Sequence, residues 1–295
     1  MTSAKFLGKD ICVGYNGFTG PTAFVTFTSI LNSSERVDPN CWSGFQLGFG
    51  EKYFAKKKQP AIHVVSMWNH WWNTTEMDEA LEVVCELLVR FEKVVLYGAS
   101  MGGYGALLSA RKIGAQVVIA SCPQVFVDFD RGSFDNRWME LRQKISFVGH
   151  DIPRELANFK GELHVLYDPK HEKDRKQVDF IDNFFAHEVR HAGHFLLETF
   201  NKAGVLDDLI SNLVGGREVG LQIRIAETFA LHEQVKLHLG SYEGADLYRE
   251  LALLFEDSDP DFALSLICRA CEYRPGGGFI MEIQKRLQLA HRTKT

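Results

Sequence analysis

Residues 94–108 read V-V-L-Y-G-A-S-M-G-G-Y-G-A-L-L. The opening four are bulky and apolar, the mark of a buried strand. The stretch from Met101 onward is rich in small residues and leucine and reads as a helix over residues 101–113. Between them stands Gly98-Ala99-Ser100-Met101-Gly102, a G-x-S-x-G. The pentapeptide alone is common by chance, and its setting between strand and helix is what gives it weight. A nucleophile presented on such a turn needs small neighbours, and Gly98 and Gly102 let the two backbones approach closely. The Ser100 hydroxyl is then expected above the carboxyl end of the strand. The plainer alternative is a glycine-rich turn with a solvent serine, of the kind that also binds phosphate.

Working outward, residues 23–27, 61–65, 117–120 and 163–167 are short apolar runs that read as strands, with a further short strand at 187–191. Helices are expected over residues 76–91, 101–113, 178–185 and 196–213, the first carrying Met77, Ala80, Leu81, Val84, Leu87 and Leu88 at helical spacing. Strands that alternate with helices predict an α/β fold, a mostly parallel sheet with helices on both faces. Gly215-Gly216 then breaks the chain, and the remainder is helical without a strand. The expected organisation is an α/β domain over 1–215 and a small all-helical extension over 216–295. Helices at 247–254, 262–273 and 279–289 are punctuated by Asp259-Pro260 and by Pro275 with three glycines. Ala263, Ala270 and Pro275 fall roughly where a tetratricopeptide (TPR) helix would carry them, so the extension reads either as TPR-like or as a helical cap.

The chain has 295 residues, 45% hydrophobic and 24% charged, which excludes a mainly disordered chain. Its net charge of -5 argues against a nucleic-acid partner. Lys56, Lys57 and Lys58 read as a solvated helix end. The first ten residues lack the apolar core of a signal peptide, and no run is long enough for a membrane span. The six cysteines (Cys12, Cys41, Cys85, Cys122, Cys268 and Cys271) are too sparse for a disulfide scaffold, so a reduced, cytoplasmic protein is expected. Cys268 and Cys271 form a C-x-x-C without a second metal pair, and packing on a helix face is the preferred reading.

The run from Tyr97 to Leu108, Y-G-A-S-M-G-G-Y-G-A-L-L, resembles the elbow of the α/β-hydrolase superfamily, above all its serine esterases and acyltransferases. The chain as a whole looks like a bacterial branch with an appended helical tail. The resemblance covers roughly residues 23–213 and implies a catalytic triad in the chain order Ser, acid, His. Ser100 would be the nucleophile. His194, in Ala192-Gly193-His194-Phe195, would be the base, with His191 its rival. The acid should follow the strand at 163–167, which leaves Asp168 and Asp174; Asp174 is slightly favoured. Asp168 could instead tie down its loop as an Asx turn, and Asp174 could instead be an N-cap. One oxyanion donor would be the Met101 amide, and the other a loop amide after residues 23–27, Thr28 first and Ser29 next.

Asn69, Trp71 and Trp72 follow the strand at 61–65 and are candidate substrate-binding residues, the indoles stacking on a sugar or acyl chain. Packing beneath a helix is the equal alternative. Residues 122–162 form an insertion expected to cover part of the site, whose Arg131, Arg137 and Arg142 would face an anionic substrate or solvent. One rival motif is His187-Glu188-Val189-Arg190-His191, an H-E-x-x-H. On a helix it would bind zinc, but in a strand its histidines stand about 13 Å apart, so no metal is expected.

The reading implied is a serine hydrolase that acts on a small-molecule ester or thioester through an acyl-enzyme, with no cofactor. Transfer to a sugar or other alcohol acceptor uses the same machinery. A weakly catalytic scaffold that binds a protein partner through its helical tail is the reading from another class.

Overall fold

The computed structural model describes residues 2–31 and 48–292. The chain divides into two compact units, Met1–Ala226 and Glu227–Thr295. The first holds an eight-stranded sheet in the order β1-β2-β4-β3-β5-β6-β7-β8. Its strands are β1 Ser3–Leu7, β2 Ile11–Tyr15, β3 Thr22–Phe27, β4 Ala61–Ser66, β5 Lys93–Ala99, β6 Val117–Ser121, β7 Glu162–Tyr167 and β8 Phe185–Glu188. β2 runs antiparallel to β1 and β4, and the other pairings are parallel.

The burial of each strand follows from its sequence. β3, β4, β5 and β6 are mostly apolar and are buried on both faces, as central parallel strands must be, with Thr26 of β3 hydrogen-bonded to His63 of β4. β1 alternates exposed and half-buried residues, which suits an edge. Along β5, Val94 and Leu96 enter one core while Val95 and Tyr97 enter the other, the two-residue period of a strand. The first core is closed by α2 (Met77–Leu88), α3 (Met101–Ile113) and α5 (Ile152–Leu156). The second is closed by α1 (Glu51–Lys57), α7 (Leu196–Lys202), α8 (Leu206–Val214) and the start of α9 (Gly220–Ser241). Helices on both faces of a mostly parallel sheet are thus found as expected.

Several expected bounds shift. The helix expected at 178–185 lies earlier, as α6, Glu172–Val178. Charged pairs at helical spacing, Lys176–Glu172 and Arg175–Asp179, support it there. The apolar residues beyond it serve packing, with Phe180 against Phe126 and Phe134. The strand expected at 187–191 ends at Glu188, because His191 has φ 66 and leaves extended geometry. The helix expected at 196–213 is broken between α7 and α8 at Gly204, whose φ is 74. β1, β2, α1, α4 (Met139–Arg142) and α5 were not legible as elements. The lysine run does close a helix: Lys56 and Lys57 fill the last turn of α1 and Lys58 caps it. The pair Gly215-Gly216 ends α8, and the first unit continues beyond it, with Val219 and Ala226 in its core.

The second unit carries α10 Gly244–Phe255, α11 Pro260–Tyr273 and α12 Gly278–Arg292, helices where they were expected. Ala252, Ala263, Ile267, Ala270 and Ile283 are buried among them. Cys268 and Cys271 share a face of α11 and both contact the Gln284 amide of α12, which is packing. Cys41 lies outside the described residues; Cys12, Cys85, Cys122, Cys268 and Cys271 are free thiols. Among the described residues no helix is long and apolar enough to cross a membrane.

The register brings Phe27, Gly98 and Ala120 side by side at the carboxyl end of the sheet. A Cβ on Gly98 would lie 2.2 Å from the Gly102 carbonyl oxygen, and one on Gly102 would lie 2.3 Å from that of Phe27. Gly98→Ala is therefore expected to destabilise the fold by roughly 1–3 kcal/mol through overpacking against backbone. Urea unfolding of the variant checks this, and an unchanged midpoint would contradict it.

Candidate active site

Ser100 stands between β5 and α3 with φ 54 and ψ -118. A non-glycine residue held there is strained by about 1–3 kcal/mol and needs a surrounding that fixes it. Its N–H donates to Ser121 O at 2.9 Å and its carbonyl accepts from Tyr104 N at 3.0 Å. Gly102 backs onto Phe27 and Thr28 of the neighbouring strand end. The turn is thus clamped from both sides, and the hydroxyl faces the loops that follow β7 and β8.

His194 lies in the loop between β8 and α7. Its Nε2 is 3.0 Å from Ser100 Oγ, and its Nδ1 is 2.7 Å from Asp174 Oδ2. With Nδ1–H donating to the carboxylate, Nε2 is left to accept from the serine hydroxyl. Asp174 sits in the first turn of α6, fully buried. Burial pushes its carboxyl up. The close contact of His171, the hydrogen bond and charge of His194 and the charge of Arg137 outweigh that and hold it well below the usual carboxylate range. His171 Nδ1 is 2.9 Å from Asp174 Oδ2, near enough for charge attraction though not aligned as a hydrogen bond.

The two candidate acids have separate places. Asp168 does not reach His194. Its carboxylate accepts from Lys170 N at 2.9 Å and from Gly193 N at 2.8 Å, so it forms the Asx-type turn and also ties down the histidine loop. Asp174 is not an N-cap; that position belongs to His171.

Other expected site residues fall elsewhere. The Thr28 N–H donates to Val64 O at 3.2 Å, so it is spent on the sheet and is not free for an oxyanion. Met101 is the first residue of α3, where helical geometry supplies its N–H no acceptor. Trp71 and Trp72 are fully buried and offer no stacking face. The Trp71 indole N–H donates to Gln124, and that of Trp72 donates to the Met101 carbonyl at 2.8 Å. Both are packing, the second directly beneath the elbow, where a Cβ on Gly105 would meet the Trp72 indole at 2.5 Å. Asn69 is buried too, and its amide pairs with both backbone groups of Leu31, so it fixes the loop after β3.

Of the three arginines of the insertion, Arg142 is buried, Arg137 is half-buried and Arg131 is exposed. Arg142 is buried and donates to the carbonyls of Val127, Asp128, Gly132 and Asp135. Arg131 pairs with Asp128 and Asp151. Arg137 grips Asp135 with two nitrogens and donates to Asp174 Oδ1 at 2.7 Å, its Nη1 3.2 Å from His194 Nδ1. Arg137 was not readable as a neighbour of the acid because that contact is made by folding alone, whereas His171, three residues before Asp174, was within reach of a local reading and was missed.

Cys122, just after β6, completes the surroundings. Its sulfur, an Asp174 oxygen and a His194 nitrogen all lie within 4.8 Å of one another. Burial, then the Asp174 charge, pushes this thiol well above its ordinary range, so it is no rival nucleophile. The H-E-x-x-H segment is not helical. His187 stands in β8 with Nε2 3.1 Å from His164 Nδ1, Glu188 accepts from the Tyr167 hydroxyl, and His191 lies in a turn.

Burial and the neighbouring His164 push His187 down to about 4. An imidazole so lowered stabilises the fold fully above its ordinary value of about 6.5 and loses that contribution as pH falls through the folded value. The urea midpoint should therefore drop between about pH 7 and about pH 5, and less so in His187→Gln. Equal drops in both proteins would contradict this.

No protein-family model matches the chain, and no curated protein matches it in sequence. Among solved structures it is similar to the capsule O-acetyltransferase of Neisseria meningitidis serogroup A in complex with caged gadolinium. The identity is 13%, covering 71% of this chain and 93% of that one, with a TM-score of 0.51. It is also similar to a malate-bound thermophilic esterase from Thermogutta terrifontis, at 15% identity, 72% and 99% coverage and a TM-score of 0.44. At these identities the likeness is one of fold.

Proposed function

We propose that this protein of the α/β-hydrolase fold is a serine hydrolase or acyltransferase that acts on an ester or thioester through an acyl-enzyme. The observation that carries the reading is the pair of hydrogen bonds Asp174–His194–Ser100, at 2.7 and 3.0 Å, on a strained turn. His194 Nε2 takes the hydroxyl proton as Ser100 Oγ attacks the acyl carbon. Asp174 holds the imidazole in the tautomer that can accept and stabilises the imidazolium that forms. The Met101 N–H and the amide of Ser29, the residue after Thr28 in that loop, hold the oxyanion. Gly102 against Phe27 and Thr28 brings that loop beside the first turn of α3. The imidazolium then returns its proton to the leaving alcohol or thiol. Water or an acceptor alcohol, deprotonated in turn by His194, releases the acyl group and restores the serine.

A fluorophosphonate should label Ser100, located by mass spectrometry, and should not label Ser100→Ala. Absence of label on folded wild-type protein would sink the reading. In steady-state assays on an activated ester, Asp174→Asn should lower kcat by about 10³–10⁴-fold while the variant stays folded. Asp168→Ala should act chiefly on stability, costing about 1–3 kcal/mol because two backbone donors lose a charged acceptor. The reverse pattern would exchange the two aspartates.

A further inference from the structure

His194 is ringed by aromatic side chains that the proposed chemistry does not use. The indole of Trp138 is 5.7 Å away between ring centroids, the phenyl of Phe195 5.8 Å and the imidazole of His171 5.9 Å. They come from three separate segments: the insertion, the entry to α7 and the entry to α6. Phe195 is 70% exposed. A single exposed phenylalanine is unremarkable on its own; this one adjoins the imidazole that bonds Ser100.

Trp138 is half-buried and has φ 55, a left-handed backbone that a bulky side chain adopts only under strain. It precedes the single turn of α4 and caps it with no side-chain bond, so helix capping does not account for it. Strained residues of this kind gather where a side chain must be aimed. Here the indole packs against Trp71, ring centroids 6.0 Å apart, and stands beside His194.

The charges around the rings are already spent. Arg137 pairs with Asp135 and Asp174, and its guanidinium lies over the Trp138 indole, 4.7 Å from the centroid. An indole that already carries a cation is a poor seat for a second one, and a guanidinium held by two carboxylates has little left for an anion. What the rings can take is a neutral group with a flat apolar face.

We propose that Trp138 and Phe195 form a stacking subsite beside His194 for the alcohol part of the ester, a neutral ring with an apolar face. This rests on Ser100 being the nucleophile. Two sources share that chemistry, an aryl ring and a carbohydrate ring whose C–H face stacks while its hydroxyl rim stays in water.

The test uses three acetate esters: phenyl, an acetylated pyranoside and open-chain n-hexyl. Ratios of kcat/KM, ring to open chain, are compared between wild type and variants, so that intrinsic leaving-group reactivity cancels. Phe195→Ala and Trp138→Leu should lower the ratio by roughly three- to tenfold, through KM, with turnover of the hexyl ester kept. Trp138→Phe should largely restore it. A fall confined to the phenyl ester assigns an aryl ring, one confined to the pyranoside a sugar, and either supports the subsite. Unchanged ratios in both folded variants would overturn it. Phe195→Ala alters an exposed side chain and keeps the test open if Trp138→Leu fails to fold. Fluorophosphonate labelling of Ser100 separates the two levels: intact labelling with unmoved ratios defeats only the subsite, whereas no labelling of wild type defeats the nucleophile itself.

Discussion

The site depends on how closely the end of β5 can approach the start of α3. With no Cβ on Gly98 the strand lies directly against the Gly102 carbonyl, and with none on Gly102 the helix lies against the end of β3. That double contact forces the residue between them into a left-handed conformation, which serine adopts at φ 54. The parallel register then sets what surrounds it. β6 ends beside the elbow and supplies the carbonyl that fixes the Ser100 amide, β7 ends one strand further on, and the loops after β7 and β8 bring in Asp174 and His194. A larger residue at either glycine would have to move backbone, and the geometry of the whole carboxyl edge would move with it.

Electrostatics divide the work between two aspartates six positions apart in one connection. Asp168 is satisfied by backbone donors and fixes the shape of the loops. Asp174 is satisfied by side chains that carry or can carry positive charge: His194, His171 and Arg137. A carboxylate buried without such partners would take up a proton; these partners keep it ionised. Arg137 also ties the insertion to the acid, and Gln177 of α6 binds the same insertion through Val125, Phe126 and Asp135. The insertion is therefore anchored on the helix that carries Asp174.

The central sheet was legible because its strands are mostly apolar and its elbow carries glycines at the two points of closest contact. The α/β class, the order of its elements and the helices of the second unit all followed from period and punctuation. The N-terminal hairpin did not, because β1 is a half-exposed edge strand with little apolar signal. Ser100 and His194 were singled out from local motifs, and the fold brings them together with Asp174, the slightly favoured of the two candidate acids. Trp71 and Trp72 were misread because their position in the chain suggested a rim, whereas left-handed turns at φ 45 and 59 fold both indoles inward. Trp138 left no local mark, and Arg137 was singled out but not as a partner of Asp174, since both approach His194 only through the course of the insertion. The Thr28 amide is taken up by the sheet, which leaves Ser29, the second candidate in that loop.

The proposed role of Asp174 and His194 is to make Ser100 a nucleophile that carries the acyl group. It is tested most directly by rapid mixing with p-nitrophenyl acetate, acid quenching and mass analysis of the intact and digested protein. A burst of nitrophenolate approaching one equivalent per chain is expected when deacylation is slower than acylation, with an acetyl group on Ser100, and neither in Ser100→Ala. Turnover of the ester by wild-type protein with no acetyl on Ser100, or with the same rate in Ser100→Ala, would contradict it.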